Sequence, residues 1–163
     1  LTTSIMNFGG GEAEFNRLVD KYAQATSYYF NREYDQSAKL FTENEREILN
    51  TAMKLGEQYK NDTITLQQKV IAENVRYNIK RSLEGQQPNP IAEKFLRQGT
   101  ESVRRANDLL VRSRPLMAIP LYRHAKESFF EYYRAMGIKF EDDYEKHIAD
   151  NQNTLFKGRV KSN

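Results

Sequence analysis

The chain contains no cysteine and no tryptophan, only two histidines, and four prolines among 163 residues. Without cysteine there are no disulfides and no thiolate metal ligands, which excludes a stapled mini-domain and a zinc ribbon. Apolar runs are short as well. The longest, Leu116 to Tyr122, is interrupted by Pro120 and falls far below the ~20 residues that a membrane span requires. The net charge of +3 is modest, so any anionic contact would be local rather than spread over the whole chain.

What the sequence has is aromatics and charge. Nine Phe and ten Tyr are too many for a chain that stays disordered, and 163 residues are most naturally one domain. The charges are unevenly placed. Residues 1–68 carry 7 basic and 10 acidic side chains, residues 69–134 carry 13 and 7, and the remainder carries 5 of each. The middle of the chain is therefore a basic zone on a nearly balanced molecule.

Apolar spacing is helical almost throughout, with no alternating strand pattern. Residues 1–11 read as a flexible arm ending in Gly9, Gly10 and Gly11, residues 12–156 as one helical domain, and 157–163 as a tail. A first helix carries Phe15, Leu18, Val19, Tyr22, Ala23 and Thr26 on one face. A short helix follows over Asp35 to Phe41, then a third with Ile48, Ala52, Leu55 and Tyr59. Asp62 or Thr63 is expected to cap a fourth, with the stripe Ile71, Val75, Ile79 and Leu83.

Pro90 opens a short helix with Ile91, Phe95 and Leu96 that Gly99 should end, and Thr100 starts a sixth through Val103, Ala106 and Leu110. The strongest period belongs to a seventh: Ala118, Leu121, Tyr122, Ala125, Phe129, Tyr132, Tyr133 and Met136, stopped by Gly137. Glu141 to Asn153 reads as a last, polar helix. The expectation is thus an all-α fold of seven or eight helices, as stacked antiparallel hairpins in a short α-solenoid of about three degenerate repeats, or as an irregular bundle.

A shift of 34 residues superposes Ala72, Val75, Phe95 and Leu96 on Ala106, Leu109, Phe129 and Phe130. Tyr77-Asn78-Ile79 followed by Ala92 to Gly99 resembles one pentatricopeptide unit, and Phe129 to Lys139 resembles the second helix and exit of another. Phe15 to Tyr22 with Ala38 to Phe41 resembles a third, stretched one. The texture is similar to the pentatricopeptide and tetratricopeptide classes. In size, basic character and a front that opens at Leu1 rather than methionine, the chain also resembles the lineage-specific accessory subunits of the mitochondrial F1-ATPase of trypanosomes and euglenids. That resemblance implies a mitochondrial matrix location after presequence removal, attachment to ATP synthase, and no catalysis of its own. A truncated front is the alternative account of Leu1.

Residue chemistry points the same way. His147, four residues after Asp143, reads as a helix-end ion pair rather than a metal site, and His124 has no nucleophile placed beside it. Gly9 to Gly11 lacks the Lys-Ser/Thr of a phosphate loop. No catalytic, cofactor or metal residues are assigned. Binding is assigned to Arg97, Arg104, Arg105, Arg112 and Arg114, suited to bidentate pairing with carboxylate or phosphate. Tyr28-Tyr29 and Tyr132-Tyr133 join them, because adjacent residues cannot both face one core. The expected partner is a protein subunit of a larger complex. The alternative is RNA, read by Asn16 and Asn78 as repeat proteins read bases.

Overall fold

The computed structural model describes Ser4, Ile5, residues 11–138, Ile148 and Asn151. Their backbone is all-helical, with no strand among the described residues, and forms four helices: α1 (Glu12–Phe30), α2 (Tyr34–Leu83), α3 (Pro90–Val111) and α4 (Pro115–Met136). Seven or eight were expected. The expected helix over Glu141 to Asn153 lies outside the described residues, apart from Ile148 and Asn151.

The lower number has local causes. Three expected helices are one in α2, because Thr63, read as a cap, is bonded inside the helix, as are two further threonines. Thr63 Oγ1 donates back to the Tyr59 carbonyl at 2.6 Å, Thr65 to Asn61 at 2.9 Å, and Thr42 to Ala38 at 2.9 Å. Hydroxyls that bond the preceding turn continue a helix rather than start one. Asp62 instead pairs with Lys126 of α4.

Gly99 lies inside α3, where a side chain would collide with Phe129: an added Cβ would sit 2.4 Å from Cε1. The glycine serves close packing, not helix termination. Real ends are marked by left-handed residues at Arg32, Gly85, Ser113 and Gly137. At each, the following amide reaches back five residues, as in Gln86 N to Arg81 O at 2.8 Å and Ile138 N to Tyr133 O at 3.1 Å. Asn89 caps α3, accepting from the Ile91 and Ala92 amides at 3.0 and 3.3 Å, with Pro90 in the first turn.

The described residues fall into two compact units, one ending at Leu55 and the other beginning at Gly56. α2 contributes to both. In the first unit α1 packs on the opening turns of α2 through Leu18 and Ala25, and Ser37 Oγ donates to the Ala25 carbonyl at 2.9 Å. Val19 and Tyr22, expected on the buried face, are exposed.

In the second unit α2, α3 and α4 share a core of Leu66, Val70, Ala92, Val103, Phe129 and Tyr132. The expected stripe of α4 is buried or half-buried along its whole length. On α2 the core seam is Tyr59, Thr63, Leu66 and Val70, continued by half-buried Asn74 and Tyr77. The stripe Ile71, Val75, Ile79 and Leu83 lies outside it, exposed.

The Gly99–Phe129 approach generates a test. Gly99→Ala should gain about 1 kcal/mol of helix propensity but lose about 1–3 kcal/mol to overpacking, for a net lower urea midpoint. Phe129→Ala, which empties a fully buried ring site, should lower stability by about 3–5 kcal/mol.

Candidate functional site

The five expected arginines are all exposed. On a 3.6-residue helix Arg97, Arg104, Arg105 and Arg112 fall within about 100° of circumference, so α3 presents them on one face. Glu101 and Asp108 fall within the same arc. Arg104 grips Glu101 with two bonds, Nε to Oε2 at 3.0 Å and Nη2 to Oε1 at 2.7 Å. That grip, with the nearby charges of Arg104 and Arg105, lowers the Glu101 carboxyl, and Glu101 and Asp108 in turn raise Arg104. The face is a mixed one, with surplus cation and interleaved acid.

The tyrosine pairs separate. Tyr29 is exposed and Tyr28 half-buried. Tyr29 belongs to an aromatic cluster around the α1–α2 turn, 5.9 Å from Phe30 and 5.6 Å from Tyr34 by ring centroid, both edge-on and both exposed. Phe30 and Tyr34 were not singled out by spacing. Tyr132 and Tyr133 are both buried, contrary to the expectation that one would reach the surface. α4 lies so deep that flanks 100° apart both meet core, and the two rings stack edge-on at 5.6 Å.

Polar groups tie the second unit together. Tyr132 donates to Asn74 Oδ1 at 3.2 Å, and Asn74 and Asn78 both donate to Glu93 Oε1, at 3.0 and 2.9 Å. Those two amides hold the Glu93 carboxyl below the usual carboxylate range, and burial raises the Tyr132 phenol. Tyr122 donates to Asn107 Oδ1 at 2.6 Å, and its burial pushes it up to about 12. Arg123 Nη2 donates to the Asn151 carbonyl at 2.9 Å, and Asn151 Nδ2 returns a bond to the Arg123 carbonyl at 3.0 Å.

Lys126 is 0% exposed, ion-paired with Asp62, its ammonium 5.9 Å from the Tyr59 ring centroid. Nothing in the apolar spacing marks it. The pair ties α4 to α2 from within the second unit.

His124 is exposed, 3.9 Å from Glu127. His147 and Asp143 lie outside the described residues. Among the described residues no three metal-ligating side chains gather, and no helix is long and apolar enough to cross a membrane. Asn16 is exposed, whereas Asn78 is engaged by Glu93.

The most distinctive surface is the one that spacing assigned to the core. Ile71, Val75, Ile79 and Leu83 are 42, 52, 58 and 85% exposed. A cleft of about 400 Å³ runs beside them, lined by Val75, Asn78, Ile79, Ser82 and Leu83, and the buried Oδ1 of Asn78 has no hydrogen-bond partner. No protein-family model, curated protein or solved structure matches the chain.

Two outcomes are expected. Asp62→Asn should destabilise by about 3–5 kcal/mol, because it leaves the buried ammonium uncompensated, while Lys126→Met should be neutral or stabilising; urea unfolding measures both. A carboxylate lowered by folding contributes stability that is present above its unfolded pKa, about 4.3 for Glu, and lost as pH falls through the folded value. The urea-midpoint advantage of the parent over Glu93→Gln should therefore be largest at neutral pH and shrink progressively below about pH 4.

Proposed function

We propose that this chain is a non-catalytic subunit that docks on a larger protein assembly. The exposed stripe Ile71, Val75, Ile79 and Leu83 carries the reading. Four aliphatic side chains at i+4 spacing form one contiguous apolar ridge, and contiguous apolar surface of that kind marks a protein contact. The cleft beside it is lined by Val75, Ile79 and Leu83 of the same ridge. The arginine face of α3 supplies Arg97, Arg104, Arg105 and Arg112, with Arg114 beyond the helix end, for acidic groups on the partner.

The specific partner we propose is the mitochondrial F1-ATPase, on the matrix side, with this chain peripheral to the catalytic subunits. That part rests on the resemblance in size, basic character and repeat texture. RNA is the less favoured partner. Acid interleaved among the arginines works against the phosphate neutralisation on which RNA affinity depends, and Asn78 already donates to Glu93.

Co-migration with F1 on native gels tests the proposal. Val75→Glu with Ile79→Glu should abolish co-migration and leave helicity intact by circular dichroism, since both positions are solvent-facing. Arg104→Glu with Arg105→Glu should weaken it in a salt-dependent way. ATP hydrolysis by the catalytic subunits should survive depletion of the chain. A parent protein that stays monomeric beside F1, or binds one RNA sequence tightly at physiological salt, would overturn the reading.

A further inference from the structure

The apolar ridge on α2 is bordered by a charge pattern that selects what can cover it. Successive members of the row Ile71, Val75, Ile79 and Leu83 advance by about 40° around the helix, so the ridge spans an arc of about 120°. Exposed Ala72 falls within the same arc. That arc lies on the side of α2 away from buried Tyr59, Leu66 and Val70.

Both borders of the ridge are cationic. On one, exposed Arg76 and Lys80 follow the arc along α2 itself. The other is the seam with α3, where Asn74 and Asn78 donate to Glu93 and Gln67 donates to Thr100 at 3.3 Å. Arg97 and Arg104 each lie four residues beyond a seam residue, turned about 40° away from buried Ala92, Gly99 and Val103. Both are exposed, so they edge the ridge from the neighbouring helix. The nearby acid is already engaged. Glu73 holds Arg76 at 2.8 Å, Glu101 holds Arg104, and Glu93 accepts from its two amides. Lys80 and Arg97 enter no ion pair among the described residues, which leaves surplus cation on each border.

Those borders decide among occupants. A second copy of this chain would set cation against cation, since both of its borders carry it, and like charges oppose contact. An extended segment has no edge to pair with, because the α2 backbone is bonded within its own helix. A helix fits. Rows at i+4 spacing interdigitate with rows of the same spacing on a second helix, at a crossing angle of about 50°. A helix crossing the ridge at that angle passes over both borders. Its own flanks then meet Arg97 and Arg104 on one side, and Arg76 and Lys80 on the other.

We propose that the α2 ridge and the adjoining edge of α3 together receive one amphipathic α-helix of the partner, with aliphatic residues at i+4 spacing and Asp or Glu on both flanks. This rests on the docking reading and names the element of the partner that makes the contact.

Selection of displayed helices against the full chain tests the proposal. The library carries a fixed leucine row at i+4 spacing with randomised flanking positions, and helices that also bind Val75→Glu with Ile79→Glu are discarded. The retained helices should carry Asp or Glu on both flanks. Lys80→Glu with Arg97→Glu, at two exposed positions outside the core, should weaken them roughly tenfold and turn a fresh selection toward Lys and Arg flanks. Retained helices with neutral or basic flanks overturn the proposal, as does a flank preference unchanged by the Lys80 and Arg97 pair. So does recovery of no ridge-dependent helix. A parent that sediments as a dimer, and returns to monomer in Val75→Glu with Ile79→Glu, replaces the partner's helix by a second copy. Failure of the two readings is separable: co-migration with F1 that needs the ridge, without any acidic helix recovered, removes this inference and leaves docking standing.

Discussion

The ring of Phe129 occupies the space that any side chain at position 99 would fill. That contact sets how closely α3 and α4 approach, and the second unit is organised around it. With the helices at that spacing, Val103 and Ala92 reach the α4 aromatics, and Leu66 and Val70 of α2 close the core from the third side. The polar links depend on the same spacing. Tyr132, Asn74 and Glu93 come from three different helices and meet within ordinary hydrogen-bond distance. Buried polar networks of this kind hold only when every helix is in register, and so they select one arrangement over its neighbours.

Legibility followed side-chain size and ambiguity. The buried face of α4 was readable because large aromatics and small alanines recur along it at helical spacing, and no competing face offers as much apolar area. α2 misled for the opposite reason. Its core seam of Tyr59, Thr63, Leu66, Val70, Asn74 and Tyr77 is more polar than its solvent-facing ridge of Ile71, Val75, Ile79 and Leu83. Hydrophobicity alone selects the wrong side of such a helix. Hydrogen bonding between seam residues and Glu93, Thr63 and Tyr132 offsets what the seam lacks in oiliness. Helix boundaries failed where one residue type serves two purposes: a threonine can cap or back-bond, and a glycine can end a helix or admit a ring.

The surface assignments divide in the same way. Arginine exposure was readable from charge, and the interleaved Glu101 and Asp108 were there to be counted at the same spacing. The rule that neighbouring tyrosines diverge held at Tyr28 and Tyr29, near the end of α1, and failed at Tyr132 and Tyr133 because α4 is enclosed on more than one side. Lys126 left no trace in the sequence pattern. It is a polar residue whose burial is decided by a partner distant in the chain.

Asn89 caps the start of α3 with its oxygen and donates through its nitrogen to the Ala135 carbonyl at 3.0 Å, across 46 residues of chain. The two halves of one amide therefore become satisfied at different times. During synthesis the cap on α3 can form as soon as that helix emerges, but the second bond must wait until the last turn of α4 has left the ribosome. Until then the amide remains hydrated on one side, and the segment joining α2 to α3 is latched at one end only. The single Asn89 amide thus joins the start of α3 to the end of α4, a link available only to a chain that extends through Ala135.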